Sequence, residues 1–222
     1  MSHAETIDYL RESANFLRTL GSLMYTELTQ EQIESLKAQN LAALGGEEEG
    51  LIGEGFHGIG RYLSRSGMNV RQDLAVEYAR IFLGAGVSAK QSAAPFESVF
   101  TSPEGLLMQD ARDEVVATYR RYGTVIDPEV NVPEDHLGFE LTFLGNMADK
   151  TADELATEPI DEARVADLVG AQVAFVDGHI LNWIDALSEK VDEFAESQFY
   201  PSVMKLIKGY TAEYKEALGE LA

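Results

Sequence analysis

Residues 131–148 read NVPEDHLGFELTFLGNMA. From Leu137 onward two apolar stripes run side by side at helical spacing, Leu137, Leu141, Leu144 and Ala148 on one and Phe139, Phe143 and Met147 on the other. A helix that is apolar around most of its circumference is buried, so this stretch predicts a central helix with other helices packed on it. Pro133 suits a first helical position, which would place Glu134 and Asp135 in the first turn, where the positive end of the helix dipole favours carboxylates. His136 then sits at the edge of the core.

Working outward, helical period recurs on both sides and strand alternation almost nowhere. Ser2 with Glu5, and Thr29 with Gln32, have capping-box spacing ahead of apolar positions at Ile7, Leu10, Ala14 and Leu17, and at Ile33 and Leu36. The run GGEEEG, residues 45–50, reads as a solvated loop or ragged helix start before Ile52, Phe56, Ile59 and Leu63. Asn69 and Gln72 can cap a helix carrying Leu74, Tyr78, Ile81 and Phe82 that stops at Gly84. A loop, GAGVSAKQSAAPFESVF, then closes on Pro95, Phe96, Val99 and Phe100. Ser102 followed by Pro103 predicts a helix start, with Leu107, Ala111, Val115 and Tyr119 on one face and a stop at Gly123.

Downstream of the loop TVIDPEVNVP and the central helix comes the acidic segment TADELATEPIDE. Helical spacing resumes at Val165, Leu168, Val169, Gln172, Val173 and Val176 and continues through His179, Ile180, Trp183 and Leu187. A last amphipathic segment carries Phe199, Tyr200, Val203, Leu206, Ile207 and Tyr210. The expectation is an all-α protein, one globular domain over residues 1–222, with roughly eight to eleven helices.

Composition narrows the function classes. The chain has 222 residues, 45% hydrophobic and 25% charged, enough to bury a sizeable core. Lys plus Arg total 17 against 38 Asp plus Glu, a net charge of −21. Such a charge repels nucleic acid and anionic lipid and favours a basic partner or plain solubility. Without cysteine there is no disulfide, thiol catalyst or thiolate zinc site. The N-terminus, MSHAETIDYL, lacks the pattern of a secretory signal, and no apolar run reaches the ~20 residues of a membrane span, which together predict a cytoplasmic protein without stable membrane insertion.

The chain contains no GxxxxGK[ST], GxGxxG, HExxH or GxSxG element and no paired Glu-x-x-His motif, so no cofactor is expected. His136 and Glu140 stand four apart, but two ligands do not make a metal site, and an ordinary i,i+4 pair is the simpler reading. For Asp135 and His136 two readings stay open: a helix start that contains a histidine, or an acceptor beside a switchable donor, suited to pairing with arginine. Tyr78, Ile81, Phe82, Pro95 and Phe96 are either core or an apolar surface. A structural or regulatory acidic binding protein, and an enzyme using Asp135 and His136 as an acid/base pair, are the alternatives, though no nucleophile or metal accompanies the pair.

Three stretches in order resemble the TorD/DmsD family and its NarJ-type relatives, chaperones of molybdenum-containing redox enzymes exported by the twin-arginine pathway. YARIFLGAG followed by APFESVF is similar to the family's aromatic-x-x-hydrophobic-Phe, Gly-rich loop and Pro-aromatic-x-Ser-Val-aromatic pattern. PEDHLG, with Pro133, Glu134 and Gly138 framing the pair, resembles its Glu-Pro-x-Asp-His hallmark, and HILNW with QFY resembles its His-x-x-x-Trp helix and Phe-Tyr segment. Val132 stands where the hallmark usually has Glu, and Phe96 where Trp or Tyr is common.

The resemblance implies a non-enzymatic chaperone that binds the twin-arginine signal peptide and the precursor of a molybdenum oxidoreductase. Asp135 and His136 fall on the family's peptide-recognition pair. Tyr78, Ile81, Phe82, Pro95 and Phe96 fall on its signal-peptide surface, with Glu97 and Ser98 in the same loop; His179 and Trp183 read as structural. A monomer or a domain-swapped homodimer is expected.

Overall fold

The computed structural model describes residues 2–47, 50–85, 92–127 and 130–221. Parts of three expected loops, at residues 48–49, 86–91 and 128–129, lie outside the described residues. In chain order the helices are α1 (His3–Tyr25), α2 (Gln30–Ala38), α3 (Leu41–Glu47), α4 (Gly50–Arg65), α5 (Val70–Phe82), α6 (Glu97–Thr101), α7 (Asp110–Arg121), α8 (Leu137–Leu155) and α9 (Glu162–Val176). A π turn (Asp177–Leu181), α10 (Ile184–Phe194) and α11 (Phe199–Gly219) complete the chain. The fold is all-α; among the described residues the sole extended pairing is one isolated bridge between Phe96 and His136.

The chain divides into two units, residues 1–25, 96–182 and 211–222 in the first and residues 26–95 and 183–210 in the second. In the first, α8 is the central helix its two stripes predict, with Leu137, Leu141, Phe143, Leu144, Met147 and Ala148 all buried. Helix α1 lies along it with Leu10, Ala14, Leu17 and Met24 buried. Glycine sets the approach: a Cβ on Gly145 would lie 2.8 Å from the Ala14 carbonyl oxygen, and one on Gly21 would lie 2.7 Å from that of Gly138. At the surface of this seam Asp149 accepts from Arg11 at 3.1 Å and Arg18 at 2.7 Å. Inside, Gln172 of α9 donates to Thr151 of α8 at 3.0 Å and accepts from the Tyr214 hydroxyl at 2.5 Å, so the buried amide is satisfied from both sides.

In the second unit α4 packs against residues 202–209 of α11 through glycines. Cβ atoms on Gly55 and Gly209 would meet Leu206 Cβ at 2.8 Å and Ile52 Cγ1 at 2.9 Å. Tyr78 and Phe82 of α5 pack on Tyr200, with centroids 5.9 and 5.2 Å away.

Two expected helix starts are corrected. The helix predicted from Ser102 and Pro103 begins at Asp110, because Ser102 closes α6 instead, donating its backbone N–H to the Ser98 carbonyl. Gly105 and Met108 then take left-handed backbone angles, φ +62° and +59°, that a continuous helix forbids. The helix predicted from Pro133 begins at Leu137: Glu134 and Asp135 form a turn ahead of it, and His136 is its N-cap with extended angles, φ −77° and ψ 130°. Asn69 does precede α5, but its side chain makes no capping bond. Both capping boxes form, Ser2 with Glu5 and Thr29 with Gln32. Residues 41–47, in part expected as loop, are helical, and a Cβ on Gly45 would lie 2.7 Å from the His57 backbone nitrogen.

Candidate functional site

The two quoted stretches, APFESVF and PEDHLG, meet in the first unit. Helix α6 has Phe96 at its N-cap, which has no side-chain acceptor to offer. Asp135 supplies the missing acceptors: its backbone carbonyl takes the Glu97 N–H and its Oδ2 takes the Ser98 N–H, each at 2.9 Å. One residue thereby satisfies two of the orphan donors of a helix distant in sequence. The Asp135 side chain is fully buried, and burial first, with the Glu97 charge adding to it, raises its carboxyl above the usual range against the opposing Ser98 hydrogen bonds.

His136 caps its own helix. Its Nδ1 accepts the Gly138 N–H at 3.0 Å, which puts the ring proton of the neutral imidazole on Nε2. Burial lowers its pKa to about 4, so the ring is uncharged at neutral pH. Phe96 meets it edge-on at 5.0 Å, Tyr25 edge-on at 5.8 Å, and Phe139 tilted at 5.8 Å. His136 is 4% exposed whereas Tyr25 is 36% exposed and Phe96 and Phe139 are half-buried, so the aromatics form a rim over the capping histidine. Gly138 lets the parts close: a Cβ there would stand 2.9 Å from the Gly21 carbonyl and 3.1 Å from His136 Nδ1.

Under the rim lies a group of buried carboxyls. Glu97, 2% exposed, accepts from Asn182 Nδ2 at 3.0 Å and lies 2.9 Å from His179 Nδ1. Glu140 is fully buried, and among the described residues neither of its oxygens has a hydrogen-bond partner. Burial, then the charges of Glu97 and Asp135, holds its carboxyl well above the usual range, so it is kept as the neutral acid. Tyr119, driven upward by burial and the same carboxyls, donates its hydroxyl to the Glu134 carbonyl at 3.3 Å. The Glu134 carboxylate holds Arg112 in a two-point pair at 2.7 and 2.8 Å, which lowers its own pKa.

The expected site residues fall into two groups. Asp135, His136, Phe96, Glu97 and Ser98 come together in the first unit, framed by Pro133, Glu134 and Gly138. Tyr78, Ile81, Phe82 and Pro95 belong to the second unit, where all four are buried, and the Ala93 N–H donates to the Ile81 carbonyl at 2.7 Å. Asp135 and His136 engage different partners, Ser98 and Gly138, and not one another. Among the described residues no set of three His, Asp or Glu side chains is placed to hold a metal, and no helix is long and apolar enough to cross a membrane. Sequence reasoning weighed Glu140 only as an i,i+4 partner of His136, to which it makes no hydrogen bond, and missed its place in the network together with those of Asn182, Tyr119 and Arg112. Glu140 carried the one readable signal, a carboxylate inside an otherwise apolar helix.

Among the described residues the chain is all-helical, and its PEDHLG stretch clamps its APFESVF stretch. The model of the nitrate reductase delta subunit family matches residues 49–189, and the chain belongs to that family. It is 27% identical over 195 residues to the chaperone protein TorD of Vibrio vulnificus strain YJ016, covering 86% of this chain and 87% of that protein. To the TorD chaperone of Photobacterium profundum it is 28% identical over 211 residues, covering 93% and 94%, and to that of Vibrio cholerae El Tor 26% over 209 residues, covering 91% and 90%. The chain is accordingly a redox-enzyme maturation chaperone and not itself an enzyme.

Proposed function

We propose that the chain binds the twin-arginine signal peptide of a molybdenum-containing oxidoreductase precursor in the cytoplasm, and holds the precursor until cofactor insertion and folding precede export. The observation that carries this reading is the aromatic rim of Tyr25, Phe96 and Phe139, set over His136 and tied in place by Asp135. Such a peptide joins two guanidinium groups to an apolar segment; the rim offers the apolar segment a place to bury, and the net charge of −21 draws the arginines in. In this reading Asp135, Glu97 and Ser98 scaffold the rim and His136 sets its floor, while Tyr78, Ile81, Phe82 and Pro95 are buried and support the second unit from within.

Calorimetric titration with signal peptides from the chain's own source, each paired with a version lacking both arginines, tests it. Saturable binding to one peptide that is lost with the arginines is expected. Phe96→Ala, Phe139→Ala or His136→Ala should each weaken it about tenfold, in line with buried aromatic anchors. Binding to none of the peptides, or binding indifferent to the arginines, refutes the reading.

A further inference from the structure

A cleft of about 570 Å³ opens in the second unit beside the contact of α4 with α11, with Arg61, Tyr62 and Arg65 on one wall and residues 196–198 on the other. The two helices touch at its base, where a Cβ on Gly58 would stand 2.0 Å from Ser202 Oγ. The opposite wall is pinned by Glu77, 5% exposed, which accepts the N–H groups of Glu196 and Ser197 at 3.0 and 2.7 Å and the Ser197 hydroxyl at 2.6 Å. Ser197 Oγ in turn accepts the Phe199 N–H at 3.1 Å. A wall held this way is formed before any ligand arrives.

Charge singles the cleft out in a chain of net charge −21. Its other charged groups are neutralised: Lys205 pairs with Glu54 at 2.6 Å, and Glu196 is taken by Arg80. Arg61 and Arg65 are different. Among the described residues no carboxylate lies within ion-pair distance of either, and Arg61 Nη2 donates to His57 Nε2 at 2.5 Å, a contact that positions the guanidinium without supplying a countercharge. The helix dipole accounts for a basic residue in the last turn of α4, which is Arg65, but not for Arg61 a turn earlier. The serine hydroxyls here are already committed, Ser66 to the Leu63 carbonyl and Ser202 to that of Gln198. The donors left facing the cleft are the two guanidinium groups, the Tyr62 hydroxyl and the Gln198 amide.

We propose that this cleft binds a small oxyanion ligand with at least two anionic groups, phosphoryl or carboxylate, bridged between Arg61 and Arg65. Paired guanidinium groups suit oxyanions because each offers two parallel donors. The volume is that of a small-molecule site, so the ligand has a body beyond its anionic groups, and it borders the Tyr62 ring.

The test is calorimetric titration of the full chain at low, constant ionic strength in chloride, with pyrophosphate and, separately, with propane-1,2,3-tricarboxylate. Saturable one-site binding of at least one probe is expected, weakened about tenfold in Arg61→Gln and in Arg65→Gln and unchanged in Arg120→Gln, an exposed cation outside the cleft. Binding of pyrophosphate alone assigns a phosphoryl ligand, and of the tricarboxylate alone a carboxylate ligand. No saturable binding of either probe, or equal weakening by Arg120→Gln, overturns the proposal. Circular dichroism melts confirm that each variant is folded, and neither outcome depends on whether a signal peptide binds.

Discussion

Replacing Glu140 with glutamine tests the buried carboxyl group directly. In the unfolded chain Glu140 ionises around its ordinary value of 4.5, whereas in the folded chain burial and the neighbouring Glu97 and Asp135 keep it protonated well above that. Over the window between the two values the native state holds the extra proton. Its stability therefore falls as pH rises, by about 1.4 kcal/mol per pH unit, and levels off once Glu140 ionises in the folded state. Glutamine has the same shape and no titration, and its amide can donate to the adjacent Glu97 carboxylate. The gap in unfolding free energy between Glu140→Gln and the parent chain should widen in the variant's favour by about 1.4 kcal/mol for each pH unit above about pH 4.5. Urea titrations followed by far-ultraviolet circular dichroism across that range measure the gap, and taking a difference removes the contribution of acids that do not touch Glu140. A gap that stays constant with pH would refute the reasoning, because it would mean that Glu140 ionises in the folded chain as readily as in the unfolded one.

Two further substitutions probe the same neighbourhood. His136→Asn keeps a capping acceptor for the Gly138 N–H and removes the group whose folded pKa is lowered to about 4. The parent chain should lose about 1.4 kcal/mol per pH unit between about 6.5 and about 4, as the unfolded state takes up a proton the buried ring refuses, and the variant should not share that loss; parallel melting curves at about pH 5 and 7.5 would count against it. Gly138→Ala drives a Cβ to 2.9 Å from the Gly21 carbonyl, a backbone atom that moves only with α1. It should cost about 1–3 kcal/mol, read as a lowered melting temperature, and an unchanged melt would show that the seam has slack.

The helices were legible wherever one apolar face repeats, as in α8, because burial and period agree there. Errors arose where one residue type serves two opposite ends. Ser102 ahead of Pro103 has the chemistry of a helix start, yet it closes α6, and only Gly105 and Met108 in left-handed conformations betray the break. Periodicity also ran unbroken through Asp177–Leu181, where the backbone is a π turn, because one wide turn shifts the apolar face by a single residue. In the site, Asp135 and His136 were found from their neighbours in sequence, but the Glu97 and Ser98 N–H groups that Asp135 holds lie 37 or more residues away along the chain, beyond any local pattern.

That distance explains the geometry of the hallmark. A short helix such as α6 needs acceptors at its N-terminus, and its own cap, Phe96, is an aromatic whose work lies at the rim. Asp135 provides the acceptors from another segment, at the cost of burying a carboxylate beside Glu97 and Glu140. The cost is bearable because Glu140 stays neutral, so the cluster does not hold three charges. With Asp135 spent on α6 and His136 spent on α8, the polar pair fixes the relative position of Phe96 and Phe139, and under the proposed function the rim they carry is what meets the peptide.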